Sequence, residues 1–177
     1  MAHGKGGERL ELNETQVDLL IAILVRFPCV GTIHCEPETG TLRLVFLLKA
    51  PDTDFALFAK RFQAHLTLFH KLAGRPVKTS ELRRIETEQL TVVEVVRDLA
   101  SFSLSELKLI VQLMRDSFRD SLVQEGSDAA DEDAAEQEMI IDALLRERAE
   151  LGQERLTGFR ENGRVLVFSS AVGVDRQ

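Results

Sequence analysis

The chain has 177 residues, 44% of them hydrophobic and 29% charged, with a formal net charge of −7. That is long enough for one buried core and too apolar for wholesale disorder. The longest apolar run, residues 19–25, is far short of the roughly 20 residues that span a bilayer. The glycine-rich opening 1–7 lacks the apolar stretch of a signal peptide, and two cysteines cannot build a disulfide framework. These exclusions predict a cytoplasmic protein with no membrane association: a single α+β domain over 12–170, a mobile lead over 1–11 and a mobile tail over 171–177.

Asn13 with Gln16 forms a capping-box pattern that predicts a helix over 13–27. Val17, Leu20, Ile21 and Leu24 share its buried face, and Pro28 ends it. A hairpin over 28–49 follows, turning at Pro37 and Gly40. In its second strand Leu42, Leu44, Phe46 and Leu48 alternate with Arg43, Val45, Leu47 and Lys49. Apolar side chains therefore occupy both faces, as in a central or covered strand.

Asp52 and Asp54 open a helix over 53–73, where carboxylates favour the positive helix end. Phe55, Phe58, Phe62, Leu66, Phe69 and Ala73 form its inner stripe, and Gly74 followed by Pro76 stops it. Residues 79–97 read as a second hairpin around Thr87-Glu88-Gln89. Its second strand is rich in β-branched residues, and 79–86 is either a strand or the start of a short helix. Ser103 with Glu106 is a second capping box, opening a helix over 103–124 with the stripe Leu104, Leu107, Val111, Met114, Phe118 and Leu122. A further helix over 128–151 is capped by Asp128 and stopped by Gly152. Asn162-Gly163 predicts a type I′ hairpin over 156–169, with Glu161 and Arg164 paired across the strands.

Three hairpins interleaved with four helices predict an antiparallel or mixed sheet of about six strands with helices mainly on one face. Val45 and Leu47, with Val93 and Val95, are expected on the other face. There they would be covered by the helical pair 103–151 or by a second copy of the chain, which makes a homodimer the expected assembly.

Charge is uneven. Across 60–84 seven basic residues face only Glu81, a local net of +6, so the rest of the chain carries −13. Lys60, Lys71 and Arg75, joined by Lys78, form a basic edge that could hold phosphate or nucleic acid. The same pattern describes a solvated helix face, and an acidic chain without Trp or Tyr is poorly suited to nucleic acid. Arg83 and Arg84 point to opposite strand faces. Phe159 and Phe168 are the only candidates for exposed stacking rings and read more readily as core. The segment 125–138 carries seven carboxylates and no base. It reads as a solvated connection, or as a dock for a basic partner, and lacks the spacing of a calcium loop.

Cys29, His34 and Cys35 do not form a metal site: strand alternation separates His34 from the cysteines, which read as small core residues. His65 and His70 lie about 140° apart on one helical wheel and cannot grip one ion. His34, His65 and His70 are the only candidates for acid–base catalysis, and a packing or hydrogen-bonding role is the preferred reading of each. No phosphate-binding loop, nucleophile elbow or cysteine pair of the C-x-x-C type occurs, so nothing names an enzyme or a cofactor. The preferred reading is a non-catalytic interaction or regulatory module. A nucleic-acid or ribosome-associated protein using 60–84 is the first alternative, and a small-molecule binder or hydrolase with a histidine-lined cleft the second.

Overall fold

A computed structural model describes residues 14–126, 131–148 and 151–169. In chain order these form α1 (Glu14–Arg26), β1 (Thr32–Glu36), β2 (Thr41–Leu48), α2 (Phe55–Ala73), β3 (Ser80–Glu86), β4 (Thr91–Asp98), α3 (Leu104–Phe118), α4 (Asp131–Arg146), β5 (Leu156–Glu161) and β6 (Arg164–Ser169). The strands make one antiparallel sheet in the order β3-β4-β2-β1-β5-β6. This is the α+β architecture expected from three hairpins, and the helices lie on one face. The expected caps Asn13 and Asp128 fall outside the described residues, as do the lead 1–11 and the tail 171–177.

Local chemistry explains the element ends. Asp54 caps α2 by accepting the Leu57 N–H at 3.2 Å, and Gly74 closes it at φ +75°, where a side chain would be strained. Asn162 and Gly163 both take positive φ, the requirement of a type I′ turn, and bring Glu161 opposite Arg164. Segment 79–86 is a strand because its backbone pairs along the whole of β4, from Ser80 opposite Arg97 to Glu86 opposite Thr91.

The core lies between the sheet and the helices. Ile33, Cys35, Leu42, Leu44, Phe46, Leu48, Val93 and Val95 point toward the helices and are almost fully buried. Phe58, Phe62 and Leu66 of α2 meet them, with Phe58 against Phe118 of α3 at 4.7 Å between ring centres. Helix α1 crosses β5 so closely that a Cβ on Gly158 would sit 3.0 Å from Leu24 Cδ1. A side chain at that strand position would push the helix away.

Three expectations need correction. Helix α3 ends at Phe118, not 124: Arg119 takes φ 46°, a 3₁₀ turn follows at Arg119–Ser121, and Leu122 bridges Leu48. The extended backbone there supplies hydrogen bonds to the part of β2 that β1 is too short to reach, Val123 donating to Leu47 and Lys49 to Ser121. Likewise β1 begins at Thr32, so Cys29 lies in the preceding turn and not in the strand. Finally, the helical pair expected to cover the far sheet face packs on the same side as α1, since α4 contacts both α1 and α3.

Candidate functional sites: the uncovered sheet face and a cleft over a buried ion network

Among the described residues no helix packs on the second sheet face, and its side chains stand apart from the core cluster. Register assembles it from rows. Leu47, Val92 and Ile85 form one row on β2, β4 and β3; Val45 and Val96 lie inside it; Phe159, Leu166 and Phe168 sit on β5 and β6. Phe159 and Phe168 meet edge to face with centres 5.5 Å apart, and Phe168 is 49% exposed. They belong to this face, not to the core: His34 and Thr157 oppose each other in register, and Phe168 continues their row.

Between the apolar groups runs a chain of ion pairs. Arg155 approaches Glu36 at 3.8 Å, Glu36 binds Arg43 at 2.9 Å, Arg43 binds Glu94 at 2.9 Å, and Glu94 lies 3.9 Å from Arg83, which binds Glu81 at 2.7 Å. Three cations alternate with three carboxylates, and Arg155 also binds a fourth, Glu38, so every charge in the row is paired and the row carries one net negative charge. His34 lies beside it, its Nδ1 3.1 Å from Thr157 Oγ1. Burial, reinforced by the Arg43 charge, holds its imidazole below the ordinary pKa and therefore neutral at neutral pH.

The four residues expected to share an interface are split by this register. Val45 and Leu47 are on the uncovered face. Val93 and Val95 oppose Phe46 and Leu44 and point into the core. Their neighbours Val92 and Val96 are the residues that join Val45 and Leu47, because Val45 pairs with Glu94 and alternation sends odd-numbered β4 residues inward.

The second site lies on the helical side. Arg97 is 1% exposed and Glu106 fully buried. Arg97 Nε and Nη2 donate to the two Glu106 oxygens at 2.5 and 2.9 Å, a bidentate pair. Arg97 Nη1 donates to Asp98 at 2.6 Å and to the Thr79 carbonyl at 2.9 Å, and Ser101 Oγ donates to Asp98 at 2.7 Å. Burial alone would raise the Asp98 carboxyl. Hydrogen bonds from the Thr79 N–H and Ser101, with the Arg97 charge, outweigh it and hold the group below its ordinary value. His70 Nε2 donates to Glu106 at 3.0 Å, since the carboxylate can only accept.

His70 also lines a cleft of about 460 Å³ between the end of α2, the start of α3 and the end of α4. Phe69, Leu72, Val77, Leu104 and Leu145 form its apolar wall; Ser101, Ser103, Ser105, Arg75, Asp142, Arg146 and Arg148 supply its polar groups. Arg148 is anchored by donating to the Leu99 and Phe102 carbonyls at 2.8 and 3.0 Å. Burial first, then repulsion from Arg75 and Arg146, lowers its pKa.

The three histidines do not share a site. His34 is on the uncovered sheet face, His65 is on the exposed side of α2 with Nδ1 2.8 Å from the Arg61 carbonyl, and His70 faces Glu106. Lys60, Lys71, Arg75 and Lys78 are all exposed, but only Arg75 borders a cleft. Arg83 joins the ion row while Arg84 stacks 4.7 Å over the Phe55 ring on the other face. In the acidic segment Glu138 binds Arg26 and Lys108, and Glu132, Asp133 and Glu136 are exposed; residues 127–130 lie outside the described residues. Nothing in the sequence marks Arg97, Arg146 or Arg148 as site residues, and nothing in it marks the inward turn of Glu106. Alternation puts Arg97 on the same side of β4 as Val93 and Val95, but only the register shows that this side faces the core. Compared with known proteins, the chain matches no family, no curated protein and no solved structure.

Proposed function

We propose that this chain is a non-catalytic interaction module that associates with a second copy of itself through the uncovered sheet face. The observation that carries this reading is the internally paired, alternating ion row set between two apolar groups. A solvent-facing sheet does not need Val45, Leu47, Val92, Leu166 and both phenylalanines on one side. A fully paired ion row loses less on being covered than isolated charges would, because each charge keeps a partner. A second copy matches the face in kind. A two-fold axis in the plane of the face can set the Leu47–Val92–Ile85 row of each copy against the Phe159–Phe168 group of the other.

Sedimentation velocity tests the reading. The protein is expected as a dimer at micromolar concentration, and Leu47→Glu, a partly exposed position, should yield a folded monomer by circular dichroism. A wild-type monomer across the accessible concentration range, or a Leu47→Glu variant that remains dimeric, overturns it.

A further inference from the structure

We propose that the cleft between α2, α3 and α4 binds a small organic phosphate: Arg75, Arg146 and the first turn of α3 hold the phosphate, and Phe69, Leu72 and Leu104 hold the apolar body. This site lies on the helical side, away from the face assigned to self-association, and the two stand or fall separately.

Size and chemistry support it first. The cleft's volume, about 460 Å³, suits a small molecule, and its lining divides into an apolar wall and a polar wall, the arrangement that holds an amphipathic ligand in one orientation. Charge supports it next. Three guanidiniums border the cleft against one carboxylate, Asp142, which pairs with Arg146 at 3.1 Å. Among the described residues Arg75 makes no hydrogen bond or ion pair. Three cations are thus gathered around one opening, where they repel one another, and an anion between them removes that repulsion.

The donors select the anion. Ser103 accepts the Glu106 N–H as the cap of α3, and the N–H groups of Leu104 and Ser105 have no partner within the helix. These first-turn donors, the positive helix end and two guanidiniums on separate elements exceed what the two coplanar oxygens of a carboxylate can accept. A tetrahedral head with three oxygens and up to two charges matches them. His70, with Nε2 committed to Glu106, leaves Nδ1 as its remaining polar atom, suited to accept a proton shared with the ligand.

Isothermal titration with phenyl phosphate, phenol, inorganic phosphate and a single-stranded oligonucleotide decides the matter. Phenyl phosphate should bind more tightly than either phenol or inorganic phosphate. Arg75→Ala and Arg146→Ala should each weaken it about tenfold or more, the cost of one charge-assisted hydrogen bond, and Arg75→Lys should recover part of the loss. Both positions are exposed, so each variant should fold and keep the wild-type sedimentation profile. Phenyl phosphate binding no better than phenol, equal binding by wild type and both alanine variants, or binding of the oligonucleotide without phenyl phosphate would each overturn the proposal.

Discussion

Arg97 on β4 and Glu106 on α3 form a bidentate ion pair inside the core, at 2.5 and 2.9 Å, with neither side chain reaching solvent. The pair joins the sheet to the helical layer and also seats His70. Removing one partner strands the other charge in a low-dielectric interior. Glu106→Leu is expected to cost about 3–5 kcal/mol in urea unfolding. The double variant Arg97→Met/Glu106→Leu should cost clearly less than the sum of the single changes, since no charge of the pair is then left unmatched.

Acid should weaken the same region through Asp98. Its folded pKa is depressed, so the folded state binds its proton less readily than the unfolded chain. The stability it contributes is complete above the unfolded value, about 3.9, and is lost as pH falls through the folded value. Urea unfolding from pH 6 to pH 2 should show this loss below about pH 4. In Asp98→Asn the fall should be shallower.

Cys35 should be inert in the folded protein. Burial pushes its thiol up to about 12, and its side chain is 1% exposed. At pH 8 the reactive thiolate is then a fraction on the order of 10⁻⁴. Mass spectrometry after iodoacetamide treatment should find Cys35 unmodified in the native state and modified in urea. Rapid native labelling would mean that β1 opens locally.

The helix–sheet contact at Gly158 leaves no room for branching. A Cβ would stand 3.0 Å from Leu24 Cδ1 and 3.4 Å from Leu20 Cβ. Gly158→Val should therefore cost about 1–3 kcal/mol through overpacking, although valine is the better strand former. Denaturant midpoints for Gly158→Ala and Gly158→Val should fall in that order.

Arg119 carries backbone strain at the end of α3, with φ 46° and ψ −117°. Such a conformation costs a non-glycine residue about 1–3 kcal/mol, against roughly 0.5–1 kcal/mol of extra chain entropy lost by glycine. Arg119→Gly is expected to raise the thermal midpoint, the opposite of what glycine would do inside a regular helix.

Much of this architecture was readable from local signals. The phenylalanine stripe of α2, the Gly74 stop and the Asn162-Gly163 turn each describe contacts within a few residues, and the elements formed there. Most of the misreadings concern partners distant in the chain. Leu122 fitted a helical stripe, yet its backbone serves β2. Glu106 fitted a capping box, and Ser103 does cap α3, but the carboxylate turns inward to Arg97 instead of back to the cap. Val93 and Val95 were placed on the wrong face because alternation orders a strand's residues without saying which parity points inward.

By itself, then, the amino-acid order determined which segments become helices and strands, where most turns fall, and which helix faces are apolar. Those features follow from backbone preference and from periodicities of 3.6 and 2 residues. Only the tertiary structure decided that all four helices share one side, that a row of paired ions crosses the other, and that Arg75, Arg146, Arg148 and His70 border one cleft. Each of those facts depends on strand register and helix placement, which arise from summed packing between segments up to 138 residues apart, as where Gln16 reaches Glu154.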